Sequence, residues 1–320
     1  MVTYTLPLMN TIWNQARRNA SERMKGRNTM KRILCIILAV LMFASLSTAA
    51  YADGEVQARA VIGANLDEDQ IASVYQFFNV KRGDVKEMTV TNAEEREYLE
   101  GYVDESLIGT RSISCVYVEL LAEGAGMDVT TSNITWCTPE MYISALATAG
   151  ITDAKIVVAA PFEVSGTAAL TGVYKAYEDL TGKKLDDLAK AVSTQELTIT
   201  GELANEIGEM DSTSIVNDLK MMLDETAQMT DEEIKEQIIQ IAATYNVSLT
   251  DNQINQLITL CRSLEGLDAD ALKSRVEEVQ NTLKKVSDAK TQVLGFVDRV
   301  KKVVTSIKSF FEKIGDIIGL

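Results

Sequence analysis

The chain has 320 residues, with 31 Lys+Arg against 46 Asp+Glu and a formal net charge of −15. Its length suits one large domain or two small ones, and 46% apolar with 24% charged residues describes a folded chain rather than a disordered one. The acidic balance excludes nucleic acid as a partner. The absence of histidine removes Ser-His-Asp triads, Cys-His dyads and His-ligated zinc.

The first strong signal lies at residues 30–52. Met30-Lys31-Arg32 is a basic start, Ile33 to Leu46 is an apolar run, and Ala50-Tyr51-Ala52 is an A-x-A cleavage pattern. The run is short for a bilayer span and right for a signal peptide. Cleavage is expected after Ala52, giving a secreted chain that starts at Asp53. Residues 1–29 are polar and basic, unlike a signal peptide, and read as an over-extended start. Beyond Ala52 the chain carries 24 Lys/Arg and 45 Asp/Glu, a net of −21.

Residues 53–182 mix strand and helix patterns. Val56–Ile62 reads as a strand, and Asp67 caps a helix that runs to Phe78. Glu87–Thr91 is a short strand. Asn92 with Glu95 three residues on forms a capping-box pattern. Ile113–Leu121 and Val129–Trp136 are strand-like and flank the turn Glu123-Gly-Ala-Gly126, so a hairpin is expected. Thr138 caps a helix with Pro139 at its first position, ended by Gly150. Lys155–Ala160 is a continuous apolar run, as in a buried central strand. Ser165 opens a helix to Leu180. The order implies an α+β fold, a mixed sheet with helices packed on it.

Residues 183–320 read as all-helical. Thr230-Asp-Glu-Glu233 and Thr250-Asp-Asn-Gln253 are capping boxes before apolar-periodic runs. From Asp268 onward one long helix is expected, bent at Gly295. Its last part is amphipathic: Phe296, Val300, Ile307, Phe310, Phe311 and Ile314 share a wide stripe. Residues 284–313 hold eight Lys/Arg and three Asp/Glu. Such a face docks on an anionic membrane surface or a partner helix, or it packs on the protein's own core.

Three constellations bear on chemistry. Ser165-Gly166-Thr167, after a buried strand and at a helix start, offers N–H groups to an anion, with Arg111 as a cationic partner. The alternative is an ordinary N-cap with a packing glycine. Cys115 and Cys137 lie in the two hairpin strands, where they form either a cross-strand disulfide or two free thiols. The carboxylates of Asp67, Glu68 and Asp69, of Glu94, Glu95 and Glu97, of Asp186 and Asp187, and of Asp231, Glu232 and Glu233 lie mostly in helix first turns and read as solvated caps. No metal-ligand spacing and no cofactor fingerprint is present.

The runs Ile108-Gly-Thr-Arg111, Asn133-Ile-Thr-Trp136 with Pro139-Glu-Met141, Ala145–Gly150, Val158–Phe162 and Val164–Gly172 resemble the YpuA-like family of secreted Gram-positive bacterial proteins, a domain of unknown function. The resemblance covers most of the chain after Ala52. It implies an exported protein linked with the cell envelope and supplies no catalytic residues. In such proteins small or apolar residues are expected where Cys115 and Cys137 stand, which favours a local disulfide in this chain. The resulting expectation is a non-enzymatic binding or scaffolding protein with an envelope partner. The competing readings are a carboxylate-dependent hydrolase of wall glycan or peptide and a membrane-docking protein using the C-terminal helix.

Overall fold

The computed structural model describes residues 57–103 and 105–283. The expected leader at 30–52, Gly295 and the expected stripe from Phe296 to Ile314 therefore lie outside the described residues. Five strands form one mixed sheet: β1 (Ala58–Gly63), β2 (Lys86–Val90), β3 (Cys115–Leu120), β4 (Asp128–Ile134) and β5 (Ala154–Val164), in the order β2-β1-β3-β5-β4. β1 pairs in parallel with β2 and β4 with β5, while β3 is antiparallel to both of its neighbours.

The two faces of the sheet are buried by different helices, which is why the strands read as apolar runs rather than as alternating ones. Ala60, Ile62, Cys115, Tyr117, Val157 and Ala159 pack on α1 (Glu68–Phe78). The intervening residues Val61, Val116, Val118, Ile156 and Val158 pack on α4 (Pro139–Thr148) and α5 (Ala169–Thr181). The period of two along each strand thus sorts residues between two cores. β5 fits the expected buried strand, with Ala154 and 156–160 all in the interior.

The expected hairpin is not formed: β5 lies between β3 and β4. The connection 121–127 is long enough to step across one strand position, and β5, apolar on both faces, takes a neighbour on each side. The disulfide falls with the hairpin. Cys115 belongs to the α1 core and Cys137 to the core on the opposite face, and both are free and buried. Burial pushes each of these thiols up to about 12.

Two short helices follow β2: α2 (Asn92–Leu99) and α3 (Glu105–Ile108). The capping box of α2 sits one residue earlier than expected. Thr91 accepts from Glu94 N, and the Glu94 side chain accepts from Thr91 N at 2.8 Å. α5 begins at Ala169, not at Ser165, because Gly166 adopts φ +96 and closes a turn first.

The remaining described chain is helical: α6 (Asp187–Ile207), α7 (Glu209–Met221), α8 (Leu223–Thr226), α9 (Asp231–Thr244), α10 (Asp251–Leu264) and α11 over 269–283. The boxes at Thr230 and Thr250 both form, as does one at Asp67. These helices have their own core, which includes Leu203, Ile215, Leu219, Ile238 and Leu257. They also extend the sheet's core: Leu197 of α6 and Val279 and Leu283 of α11 pack with α4 and α5 residues. Arg275 of α11 donates to the Ala147 carbonyl at 2.7 Å, satisfying a C-terminal acceptor of α4.

Candidate functional site

The carboxyl ends of β1, β2, β4 and β5 and the amino end of β3 share one end of the sheet. Open sheets place ligands at such ends. Here that end carries a buried acid. The one-residue shift of the α2 cap turns Glu95 away from solvent, and its side chain is 0% exposed. It was expected among the solvated caps; the helical turn of about 100° per residue is the reason it is not. Ser112 Oγ donates to Glu95 Oε1, and Asn92 Nδ2 donates to Oε2 at 3.2 Å. Ser112 is itself fixed to the β1–α1 loop: its N–H donates to Asn65 Oδ1 at 2.8 Å, and its carbonyl accepts from Asn65 N at 3.1 Å. Gly63 permits this approach, since a Cβ there would lie 2.5 Å from Ser112 O. Among the described residues no cation bonds Glu95. Burial pushes its carboxyl up to about 7, opposed by the Ser112 and Asn92 donors and assisted by nearby Glu94.

The sequence-predicted anion residues share this end of the sheet, each with work of its own. Arg111 is exposed and donates through Nη2 to Asn65 O at 3.0 Å. Ser165 O accepts from Cys137 N at 3.1 Å, and Gly166 O accepts from the Tyr142 hydroxyl at 2.6 Å. A Cβ on Gly166 would meet Ile134 Cγ2 at 2.5 Å and Tyr142 Oη at 2.7 Å, so the glycine serves the protein's own packing. Thr167 is buried. The N–H groups of Ala169 and Leu170 donate to Gly166 O and Thr167 O, which uses two donors of the first helical turn.

A second polar constellation joins α4 to the helical region. Lys220 of α7 and Glu196 of α6 form an ion pair of 2.8 Å with both side chains 0% exposed. Ser144 Oγ and Thr148 Oγ1 of α4 donate to the two Glu196 oxygens at 2.6 and 2.5 Å. Lys220 Nζ also donates to Ser144 O at 3.2 Å, Ser144 Oγ at 2.9 Å and Thr148 Oγ1 at 3.3 Å. Asn217 lies 2.9 Å from Ser144 Oγ. Burial pushes the Lys220 ammonium below its ordinary value, opposed in part by the Glu196 carboxylate. A serine beside a lysine is the pairing that histidine-free hydrolases can use. Here the lysine is engaged by a carboxylate and all three side chains are sealed, so in this state the cluster holds three helices in register.

None of these five residues was singled out in the sequence. The available signal was polar residues at helical spacing on apolar stripes: Ser144 and Thr148 four apart, and Asn217 and Lys220 three apart beside Ile215, Val216 and Leu219.

A third feature is open. A recess of about 790 Å³ at the end of α1 is lined by Tyr75, Gln76, Asn79, Lys81, Arg82 and Asp84 among others. Arg82 bonds both Glu68 and Glu87, so the wall of the recess is fixed. Among the described residues no group of three or more Cys, Asp and Glu stands together as a metal site. No described helix is long and apolar enough to cross a membrane.

The chain matches a family model described as "Protein of unknown function (DUF1002)" over residues 62–286. It is 36% identical over 294 residues to a protein of Bacillus subtilis (strain 168) called "Uncharacterized protein YpuA", covering 90% of this chain and 98% of that relative. No solved structure matches it. The family span starts inside β1 and ends just past the described part of α11, so β2 to β5, the buried acid, the ion-pair cluster and the recess fall within it. The chain belongs to the DUF1002 family of proteins of unknown function.

Proposed function

We propose that the chain is an exported, envelope-associated protein that works by binding rather than by turnover. The observation that carries this reading is the distribution of its polar groups. The Glu196–Lys220 cluster and Glu95 are sealed. The open recess at the end of α1 instead presents amides, an ammonium, a guanidinium and a carboxylate, groups that bind a polar ligand without reacting with it. The leader at 30–52 supports export, and the resemblance in the runs quoted above supports an envelope partner. The apolar stripe at 296–314, in a segment whose residues 284–313 hold eight Lys/Arg and three Asp/Glu, supports an anionic membrane surface as a second point of attachment.

Co-sedimentation of the full chain with purified wall sacculi tests the binding role. Retention is expected, and Gln76→Ala with Lys81→Ala is expected to weaken it by about tenfold. A chain that stays in the supernatant, or a double variant retained as well as the parent, overturns the assignment to this recess. N-terminal sequencing of protein from the medium or wall fraction is expected to start at Asp53. Finding the intact chain in the cytoplasm overturns export.

A further inference from the structure

We propose that Glu95 is a proton-operated latch: with its proton it ties α2 to the segment 109–114 and keeps the α2–α3 cap closed over the loop 165–168, and loss of that proton releases the cap. The connectivity makes the acid a hub. Its own helix reaches it through Asn92, the segment leading into β3 through Ser112, and the β1–α1 loop through the two Asn65–Ser112 bonds. Arg111 adds a bond from the same segment to Asn65 O. Beneath the cap lies a small separate apolar cluster of Leu99, Val103, Ile108 and Ala168. That cluster is small, so the hydrogen-bonded hub, together with the Glu94–Lys175 pair, carries much of what keeps the cap down.

Among the described residues, the charged and titratable groups around Glu95 give its carboxylate no cationic partner. On α2, Glu94 is held by Lys175 of α5, and Arg96 donates to Asn92, to the Gly109 carbonyl and to Glu105 of α3. Lys175 also donates to Thr89 O. On 109–114 the charged group is Arg111, committed to Asn65 O. On α6, Lys190 is paired with Glu178 and Asp187 and lies 5.0 Å from the Tyr98 ring centroid. From β3 comes the neutral Cys115 thiol, and the loop 165–168 carries no charge. In the neutral form the Ser112 bond reverses: Glu95 Oε1 donates its proton to Ser112 Oγ, while Asn92 Nδ2 still donates to Oε2. A carboxylate in the same place is a buried charge with two neutral donors, and opening the cap to water relieves it. Burial places the transition near pH 7, within reach of an exported protein's surroundings.

Hydrogen exchange on the full chain, corrected for intrinsic rates, tests this at about pH 5.5 and about pH 8.5. Amides of 92–112 are expected to lose protection by about tenfold or more at the higher pH, while β5 and α10 stay unchanged. Glu95→Gln keeps the donors and acceptors without the charge, and it is expected to hold the closed level at both pH values. Wild-type protection that is flat with pH, or a glutamine variant that follows the wild type, overturns the latch. If the variant does not fold, carboxyl-¹³C titration of Glu95 in the wild type decides. Its midpoint must coincide with the midpoint of the exchange change, and midpoints more than about one pH unit apart overturn the proposal.

Discussion

Glu95 and Glu196 are both fully buried carboxylates, and the chain satisfies them in opposite ways. Glu196 is given a lysine and two hydroxyls, a closed set of bonds that leaves neither of its oxygens without a donor. Glu95 is given one hydroxyl and one amide, so burial outweighs its donors and the acid tends to neutrality. The difference locates two kinds of behaviour. The junction between α4 and the helical region is fixed by a pair whose members need each other. The cap over the sheet end depends on a single proton.

The largest test breaks the paired side. Lys220→Met keeps much of the side-chain volume but leaves Glu196 without its cation, and it is expected to cost about 3–5 kcal/mol in urea unfolding. Lys220→Met with Glu196→Leu is expected to recover most of that loss. If the single variant unfolds like the wild type, the pair does not hold the junction.

The next test reads the unpaired side through pH. The Glu95 carboxyl is raised from its ordinary 4.5 to about 7 on folding, so the folded state binds the extra proton between those values. Its contribution is fully present below about 4.5 and is lost as pH rises through about 7, a change on the order of 3 kcal/mol. Glu95→Gln is expected to remove this component from the pH–stability profile, measured as the wild-type-minus-variant difference. A difference that does not change with pH would show that Glu95 is not the group whose pKa is raised.

The smallest test concerns why Glu95 is inside at all. Thr91→Ala removes the cap that sets the phase of α2 and is expected to cost about 1 kcal/mol by urea unfolding. The same substitution should leave the Glu196 cluster, and hence the response to Lys220→Met, unaltered within about 0.5 kcal/mol.

Much of the architecture was legible because its signals are local. The cap at Asp67, the boxes at Thr230 and Thr250, Pro139 after Thr138, and the apolar run of β5 each announce an element within a few residues. What failed was non-local or finely phased. A turn between two strand-like runs does not say whether a third strand will enter between them, as β5 does. Thr91 and Asn92 are both good caps with a glutamate three residues on, and the choice between them decides whether Glu94 or Glu95 faces water. Ser144, Glu196 and Lys220 meet from positions 24 to 76 residues apart, and no periodicity states which helix faces will meet.

The positions of the thiols have a practical consequence. Cys115 sits in the core under α1, Cys137 in the core under α4 and α5, and Cys261 among the C-terminal helices. Among the described residues each of the three larger cores thus holds one silent reporter. Brief exposure to an alkylating reagent, followed by peptide mass mapping, would record which compartment breathes first as denaturant rises, with no label introduced and no residue changed.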